Sequence, residues 1–269
     1  MAVLNNADSP IREYRMVIKD SGDPGYVNRI LIAHPVTGLL RVEWVQARYG
    51  QIVPVNWSQV TMMQYLQQGL YPLRYLVADA QNFIVQEAVK KDFEWLLFWE
   101  HDVIPPPDLL IKINKYIRDE KTPVVSGLYY TRSRPSEPLV FRGRGTGAYT
   151  NWQVGDHVWV DGVPTGMLLV HMAIIKAMYE DSAEYRIPYG DMPVVRRVFR
   201  DPRDIYFDPE TGNYNSLSGT SDLEWSTRVI EGKYLAKAGW KAHAKKRYPF
   251  LIDTSLFCRH CNPDGEMFP

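Results

Sequence analysis

The stretch Phe93-Glu94-Trp95-Leu96-Leu97-Phe98-Trp99-Glu100-His101-Asp102-Val103-Ile104-Pro105-Pro106-Pro107-Asp108-Leu109-Leu110 decides how the chain is read. Its first part is a near-continuous apolar run, the pattern of a strand buried on both faces. Two carboxylates, Glu100 and Asp102, follow at once. The three prolines and Asp108 then stop the chain and open a helix, in which Leu109, Leu110, Ile113, Tyr116 and Ile117 form an amphipathic stripe. A carboxylate pair directly after a buried strand carries a desolvation penalty unless a positive group joins it. Carboxylate oxygens suit Mg²⁺ or Mn²⁺, commonly completed by the phosphates of a substrate. A solvated acidic turn is the plainer alternative.

Outward from this stretch, strand and helix signals alternate. Arg29–Ala33 is a short apolar run ending at His34-Pro35, and Ile52–Trp57 is a candidate second strand. A helix is expected from Asp79, as N-cap, to about Lys91, with Ala80, Ile84 and Ala88 on one face. Pro123–Leu128 reads as the next buried strand. Alternating strands and helices predict an α/β fold with a mostly parallel central sheet flanked by helices.

The second half is less regular. Val158–Val160 and Met167–Val170 read as strands and Ala173–Tyr179 as a short helix. Residues 181–219, rich in Pro, Gly, Asp and Arg, read as a long loop. Ser221–Ala238 is a helix closed by Gly239, with strands expected at Trp240–Ala244 and Leu251–Leu256. A single domain of 269 residues follows: an N-terminal extension over 1–28, a half over 29–130 and a half over 131–269 that holds the 181–219 loop.

Composition excludes several classes. With 45% hydrophobic and 23% charged residues the chain is neither disordered nor fibrous. Lys+Arg and Asp+Glu are both 31, so a strongly basic nucleic-acid binder is not indicated. No apolar run approaches the roughly 20 residues of a membrane span. Met1–Asp8 lacks the basic start and apolar stretch of a signal peptide, so a soluble, cytoplasmic protein is expected. Two cysteines, Cys258 and Cys261, exclude a disulfide scaffold. With His260 between them they leave a zinc site open, although zinc usually takes four ligands.

Taken together, these motifs resemble the GT-A-fold glycosyltransferases, the nucleotide-sugar-dependent group that includes family 2. Glu100-His101-Asp102 is similar to their Asp-x-Asp element. Ala78–Ala88 resembles the helix that precedes it, and Val124–Tyr130 the strand that follows. Val163-Pro164-Thr165-Gly166-Met167-Leu168-Leu169-Val170 resembles the glycine-containing strand on the acceptor side. Ser221-Asp222-Leu223-Glu224-Trp225 resembles the acidic opening of a late helix, and Gly239-Trp240-Lys241-Ala242 its exit. His260 stands where many members place a histidine that completes the metal site. The likeness runs over roughly residues 30 to 265, carried by order and spacing. Departures are Glu100 for the first Asp, Gln81 for an Arg and Ser221 for a Glu.

The resemblance implies a GT-A-like (Rossmann-like) domain with a smaller mixed acceptor-side sheet. It implies transfer of a sugar from a nucleotide-diphosphate donor, a UDP-sugar being favoured, to an acceptor hydroxyl. Mn²⁺ or Mg²⁺ would be held by Glu100, Asp102 and His260. Asp222 would be the base of an inverting reaction, with Glu224 in reserve. Donor contacts would come from Ala33, His34, Pro35, Asp79, Asn82 and His101, the last pointing away from the two carboxylates. Acceptor contacts would come from Tyr129, Arg132 and Gly166. The acceptor stays open among a saccharide, a protein and a modified DNA base, and so do stereochemistry and oligomeric state. Three alternatives remain. Ser221-x-x-Glu224 also reads as a capping box without catalytic role. A sugar nucleotidyltransferase would show a basic Gly-rich loop, which Ser21-Gly22-Asp23-Pro24-Gly25 does not. A non-catalytic carbohydrate- or nucleic-acid-binding module would need no base. Arg196, Arg197, Arg200 and Arg203, with Lys241, Lys245, Lys246 and Arg247, suit a phosphate-bearing acceptor; interleaved Asp191, Asp201, Asp204 and Asp208 suit a mixed-charge surface.

Overall fold

The structure, a computed structural model, describes residues 29–36, 38–57, 62, 65–66, 69–143 and 147–269, apart from the side chains of 204, 206 and 216–218. The 1–28 extension and its Ser21–Gly25 segment lie outside the described residues.

A six-stranded sheet forms the centre, in the order β1 (Ile30–Ala33), β2 (Trp95–Trp99), β6 (Met167–His171), β4 (Val124–Leu128), β11 (Phe250–Phe257), β5 (His157–Val160). β1 and β2 pair in parallel, as do β4 and β11. β6 runs antiparallel between β2 and β4, and β5 antiparallel on β11. Four strands therefore point one way and two the other. The carboxyl ends of β1, β2, β4 and β11 and the amino end of β6 share one edge.

The expected doubly buried strand is β2, all five residues of which are buried. Leu96 and Phe98 pack against α2 (Val77–Lys90), α4 (Met172–Glu180) and α5 (Ser221–Glu231). Trp95, Leu97 and Trp99 pack on the other side against α1 (Val42–Tyr49) and α3 (Leu109–Asp119). In α3, Leu109, Leu110, Ile113 and Ile117 are buried as the stripe requires; Tyr116 is only half-buried, and Asn114 is buried, accepting from Trp57 Nε1 at 3.0 Å. A small antiparallel sheet joins β3 (Val103–Ile104), β12 (Arg259–Cys261) and β13 (Met267–Phe268). Among the described residues no helix is long and apolar enough to cross a membrane.

Several elements differ from expectation. Ile52–Trp57 is not a strand: Ile52 N–H bonds the Pro107 carbonyl at 2.8 Å, and Pro54 offers no donor for a ladder. Helix α2 begins at Val77, with Leu76 as N-cap, so Asp79 lies within its first turn. The start is set by a distant side chain, since Leu76 N–H donates to Tyr189 Oη at 3.1 Å. The 181–219 segment is built from two hairpins, β7 (Glu184–Arg186) with β8 (Val194–Arg196), and β9 (Arg203–Asp208) with β10 (Asn213–Ser218). Asp208 fixes the second turn, accepting from Glu210 N at 2.9 Å and Thr211 Oγ1 at 2.8 Å. The expected 221–238 helix breaks at Gly232-Lys233, where Lys233 has φ 56°, and resumes as α6 (Tyr234–Lys237). Residues 241–244 form a helical turn, α7 (Lys241–Ala244), not a strand; two alanines in four residues favour helix, and so short a run has no readable period.

Candidate functional site

The edge of the sheet assembles the site. Glu100 leaves β2 held by its backbone: its N–H donates to the Gly166 carbonyl and its own carbonyl accepts from Trp44 Nε1, both at 2.9 Å. The chain turns through His101 and Asp102 into β3. There β12 pairs antiparallel, with His260 opposite Val103, and Cys261 N–H donates to the Asp102 carbonyl at 2.8 Å. That register carries His260, distant in sequence, to the side of Asp102.

Nε2 of His260 lies 3.5 Å from Oδ2 of Asp102. Nδ1 of the same ring donates to the Tyr130 carbonyl at 2.8 Å, and the ring packs edge-on against Tyr129 at 5.3 Å. Arg132 follows β4 and donates to Asp102 Oδ2 at 2.8 Å. Burial alone raises the Asp102 carboxyl, but the hydrogen bond and charge of His260, with the charges of His101 and Arg132, outweigh it and hold the group below its ordinary value. Oδ1 of Asp102 is buried with no hydrogen-bond partner.

Glu100 behaves oppositely. Its carboxyl is pushed up to about 8 by burial, then by the nearby charges of Asp102 and Asp222; Arg132 and a hydrogen bond from Thr165 oppose the shift. Thr165 Oγ1 itself accepts from Gln81 Nε2 at 2.9 Å, so the buried Gln81 and Thr165 lead to the half-buried Glu100. Asp222 sits in the first turn of α5, where its Oδ1 accepts the Leu223 N–H at 2.8 Å. Burial raises its carboxyl against hydrogen bonds from Thr220 and the local backbone.

The predicted residues divide. Glu100, Asp102, Asp222, His260, Tyr129, Arg132 and Gly166 come together. Tyr129 is buried, with its Oη accepting the Gly166 N–H at 2.7 Å. Arg132, expected toward the acceptor, stands on Asp102. Glu224 is engaged elsewhere, 2.6 Å from Arg228 and 3.9 Å from Arg200. The capping box is not formed, because Thr220 is the N-cap and Ser221 already lies in the helix.

The donor residues mostly serve the fold. Ala33, His34 and Pro35 are buried. His34 donates from Nδ1 to the Trp99 carbonyl at 2.9 Å and accepts at Nε2 from Arg48 at 3.3 Å. Burial first, then the Arg48 charge, lowers its pKa to about 3. Asn82 is fully buried and clasps the Phe199 backbone, accepting from N–H at 2.7 Å and donating to the carbonyl at 2.9 Å. Asp79 accepts from Tyr185 Oη at 2.6 Å and from Tyr189 Oη. His101 donates to the Pro35 carbonyl at 3.2 Å, tying the acidic turn to the end of β1.

Thr165 and Gln81 were not among the expected site residues; both stood inside quoted motifs, and only the fold shows them joined to Glu100. Asp201, in the sequence only one of the acids interleaved with the arginines, also reaches this region: its carboxyl, raised mainly by burial, feels the charges of Asp79 and Asp222.

The donor set suits a divalent cation. A histidine whose other nitrogen is fixed by a carbonyl faces a carboxylate that has an unpartnered buried oxygen, the usual outer arrangement of a metal-ligating histidine. Among the described residues no three His, Cys, Asp or Glu side chains are gathered closely enough to enclose a metal unaided. Cys258 is packed in the core and its thiol is pushed up by burial.

No protein-family model and no curated protein matches the chain. Among solved structures it is similar to A197 from STIV, at 15% identity over 89% of this chain and 93% of that one, with a TM-score of 0.49. It is also similar to a putative glucose-1-phosphate thymidylyltransferase from Bacillus anthracis, at 12% identity over 56% and 75%, TM-score 0.34. A third is a glycosyltransferase involved in the glycosylation of the major capsid of PBCV-1, at 13% identity over 54% and 62%, TM-score 0.27. Likenesses this distant decide neither family nor activity.

Proposed function

We propose that the chain is a metal-dependent glycosyltransferase that moves a sugar from a nucleotide-diphosphate donor, a UDP-sugar being favoured, to an acceptor hydroxyl with inversion. The observation that carries this reading is the convergence of Asp102 and His260, with Glu100 and Asp222 beside them, on the sheet edge where α/β folds bind ligands.

Asp102 and His260 would hold Mn²⁺ or Mg²⁺, with Glu100 as a further oxygen and the donor's phosphates completing the shell. When bound, the cation neutralises charge that develops on the leaving diphosphate. Arg132, 2.8 Å from Asp102, is near enough to turn its guanidinium onto the same phosphates. Asp222 takes the acceptor proton as the hydroxyl oxygen bonds the anomeric carbon; the carbon–oxygen bond to the diphosphate breaks, and its electron pair leaves with the nucleotide. A carboxyl raised by burial suits that role better than one tied in an ion pair, which favours Asp222 over Glu224.

The test is hydrolysis of nucleotide sugars without acceptor, followed by release of nucleotide diphosphate with and without Mn²⁺. Turnover that needs Mn²⁺ and vanishes in Asp102→Asn supports the reading. Absence of both turnover and Mn²⁺-dependent binding across a panel of UDP-, GDP- and dTDP-sugars overturns it.

A further inference from the structure

The chain carries no formal net charge, 31 basic against 31 acidic residues, so a surface where cations stand without acids is a local departure. Such a surface lies beside β5 and the start of β11. Between Glu231 and Asp253 the sequence has no acidic residue, yet it holds Lys241, Lys245, Lys246 and Arg247, all exposed. Arg142 joins them from the connection between β4 and β5. Its guanidinium lies 4.6 Å from the Tyr248 ring and 4.8 Å from the Tyr149 ring. Arg247 lies 5.2 Å from Tyr248, and Lys246 Nζ only 3.5 Å from the Trp159 ring.

Among the described residues none of these five cations is in an ion pair. Several basic groups nearby in sequence contrast with them. Arg196 pairs with Glu184, Arg228 and Arg200 with Glu224, and Lys237 with Asp181. Within the 181–219 segment Arg196 is neutralised by Glu184, and Arg200 lies 3.9 Å from Glu224 of α5, while the α7 face has no such pair among the described residues. Five like charges outside any ion pair repel one another, and the aromatic faces hold three of them in place through cation–π contact; Asp161, whose Oδ1 accepts the Gly143 N–H at 2.9 Å, stands at the Arg142 end of the patch.

The chemistry of the patch selects the partner. It is a comb of separated charges, not a pocket, which suits an extended polyanion. No large apolar side chain is exposed between residues 234 and 250, so the face has no wedge to bury in a bilayer. Trp159, Tyr149 and Tyr248 are half-buried beneath the cations, which leaves backbone phosphates as the target in preference to stacked bases. We propose that Arg142, Lys241, Lys245, Lys246 and Arg247 form a docking surface for the phosphate backbone of nucleic acid, read without regard to sequence. The proposal is independent of the transferase reading.

The experiment is fluorescence anisotropy of a labelled 20-base-pair DNA duplex titrated with the full chain between 50 and 200 mM salt. If all five cations meet phosphates, affinity falls about 500-fold over that range, a log–log slope of roughly −4 to −5. Lys245→Gln/Lys246→Gln/Arg247→Gln is expected to weaken binding and make the slope shallower by about 3, and Arg142→Gln by about 1. Thermal unfolding reports whether each variant folds; should the triple variant not fold, Arg142→Gln and Lys241→Gln alone decide. Lys90→Gln, an exposed lysine of α2 outside the patch, is expected to bind DNA unchanged. No binding at 50 mM salt overturns the proposal, as does a slope that the folded variants leave unaltered. Binding to phosphatidylglycerol vesicles in place of DNA, lost in the same variants, also overturns it.

Discussion

Oδ2 of Asp102 and Nε2 of His260 face each other at 3.5 Å while Nδ1 of the ring donates to the Tyr130 carbonyl. A carbonyl only accepts, so Nδ1 carries a proton. A neutral His260 would then aim a lone pair at a carboxylate. The arrangement is favourable only with a positive charge on the ring or between the two groups. His260→Ala removes the nitrogen but keeps the Asp102–Arg132 pair. It is expected to weaken Mn²⁺-dependent binding of UDP by at least about tenfold, measured by titration calorimetry. Unchanged Mn²⁺ dependence would mean that the pair is an imidazolium–carboxylate bridge and nothing more.

Asp222 and Glu224 stand two residues apart on α5 and are separated by their partners. Glu224 has Arg228 at 2.6 Å, whereas Asp222 has its own backbone and a buried setting that raises its carboxyl. Asp222→Asn is expected to fold normally, bind donor, and lose transfer by roughly 10²- to 10⁴-fold, the usual worth of a general base. Glu224→Gln is expected to keep most of the transfer rate and lose some stability with its ion pair. The reverse ranking in initial rates would remove Asp222 from the mechanism.

How far the sequence could be read depends on whether contacts were local. The Trp95–Trp99 strand, the Leu109–Ile117 stripe and the acidic turn between them announce themselves because their signals are contiguous. The antiparallel β6 between β2 and β4 is silent, since Met167–Val170 would look the same in either direction. The position of His260 against Asp102 follows from Arg259 and His260 of β12 pairing with Ile104 and Val103 of β3, too short a ladder to register as a pattern. Asn82 and His34 have partners in the fold that the sequence does not show. Polar residues at strand ends and helix starts suggest ligands, yet Asn82 satisfies the backbone of Phe199, 117 positions away, and His34 the carbonyl of Trp99. The 181–219 loop hid two hairpins because its turn is fixed by the Asp208 side chain, and a Pro-, Gly- and Asp-rich run reads as irregular throughout.

His34 makes a prediction about acid stability. Its ring is fully buried and its pKa is lowered to about 3 by burial and by Arg48. An unfolded chain binds a proton at that ring near pH 6.5, whereas the folded chain does so only near pH 3. Below 6.5 the unfolded state therefore holds more protons, and stability is lost as pH falls through this window. Between pH 7 and pH 5 the contribution of His34 is roughly 2 kcal/mol. His34→Gln, which can still donate to Trp99 and accept from Arg48, is expected to narrow the difference in urea-unfolding free energy between pH 7 and pH 5. His171 and His243, each lowered to about 4 chiefly by burial, add in the same direction and leave a remainder. A pH dependence identical to that of the parent chain would show that His34 does not stay neutral in the fold.

Gly166 and Tyr129 test how tightly the site is set. The Gly166 N–H donates to Tyr129 Oη at 2.7 Å, and its carbonyl accepts from Glu100 N–H at 2.9 Å, so one residue anchors both the tyrosine and the acidic turn. A Cβ added at 166 would fall 2.5 Å from Tyr129 Oη and 2.9 Å from Val103 Cγ2. Neither can retreat freely, because Tyr129 is buried against His260 and Val103 pairs with His260 across β3 and β12. Gly166→Ala is therefore expected to destabilise by about 1–3 kcal/mol and to displace His260. Tyr129→Phe removes the oxygen that blocks the methyl but strands the buried Gly166 N–H, a loss of about 1–3 kcal/mol by itself. In the double variant the methyl moves into the space the oxygen left, so the combined loss should fall short of the sum by about 0.5 kcal/mol or more in urea unfolding. Strict additivity would mean that the methyl is blocked by Val103 Cγ2 and Tyr129 Cζ, each 2.9 Å away and both kept in Tyr129→Phe, and not by the hydroxyl oxygen.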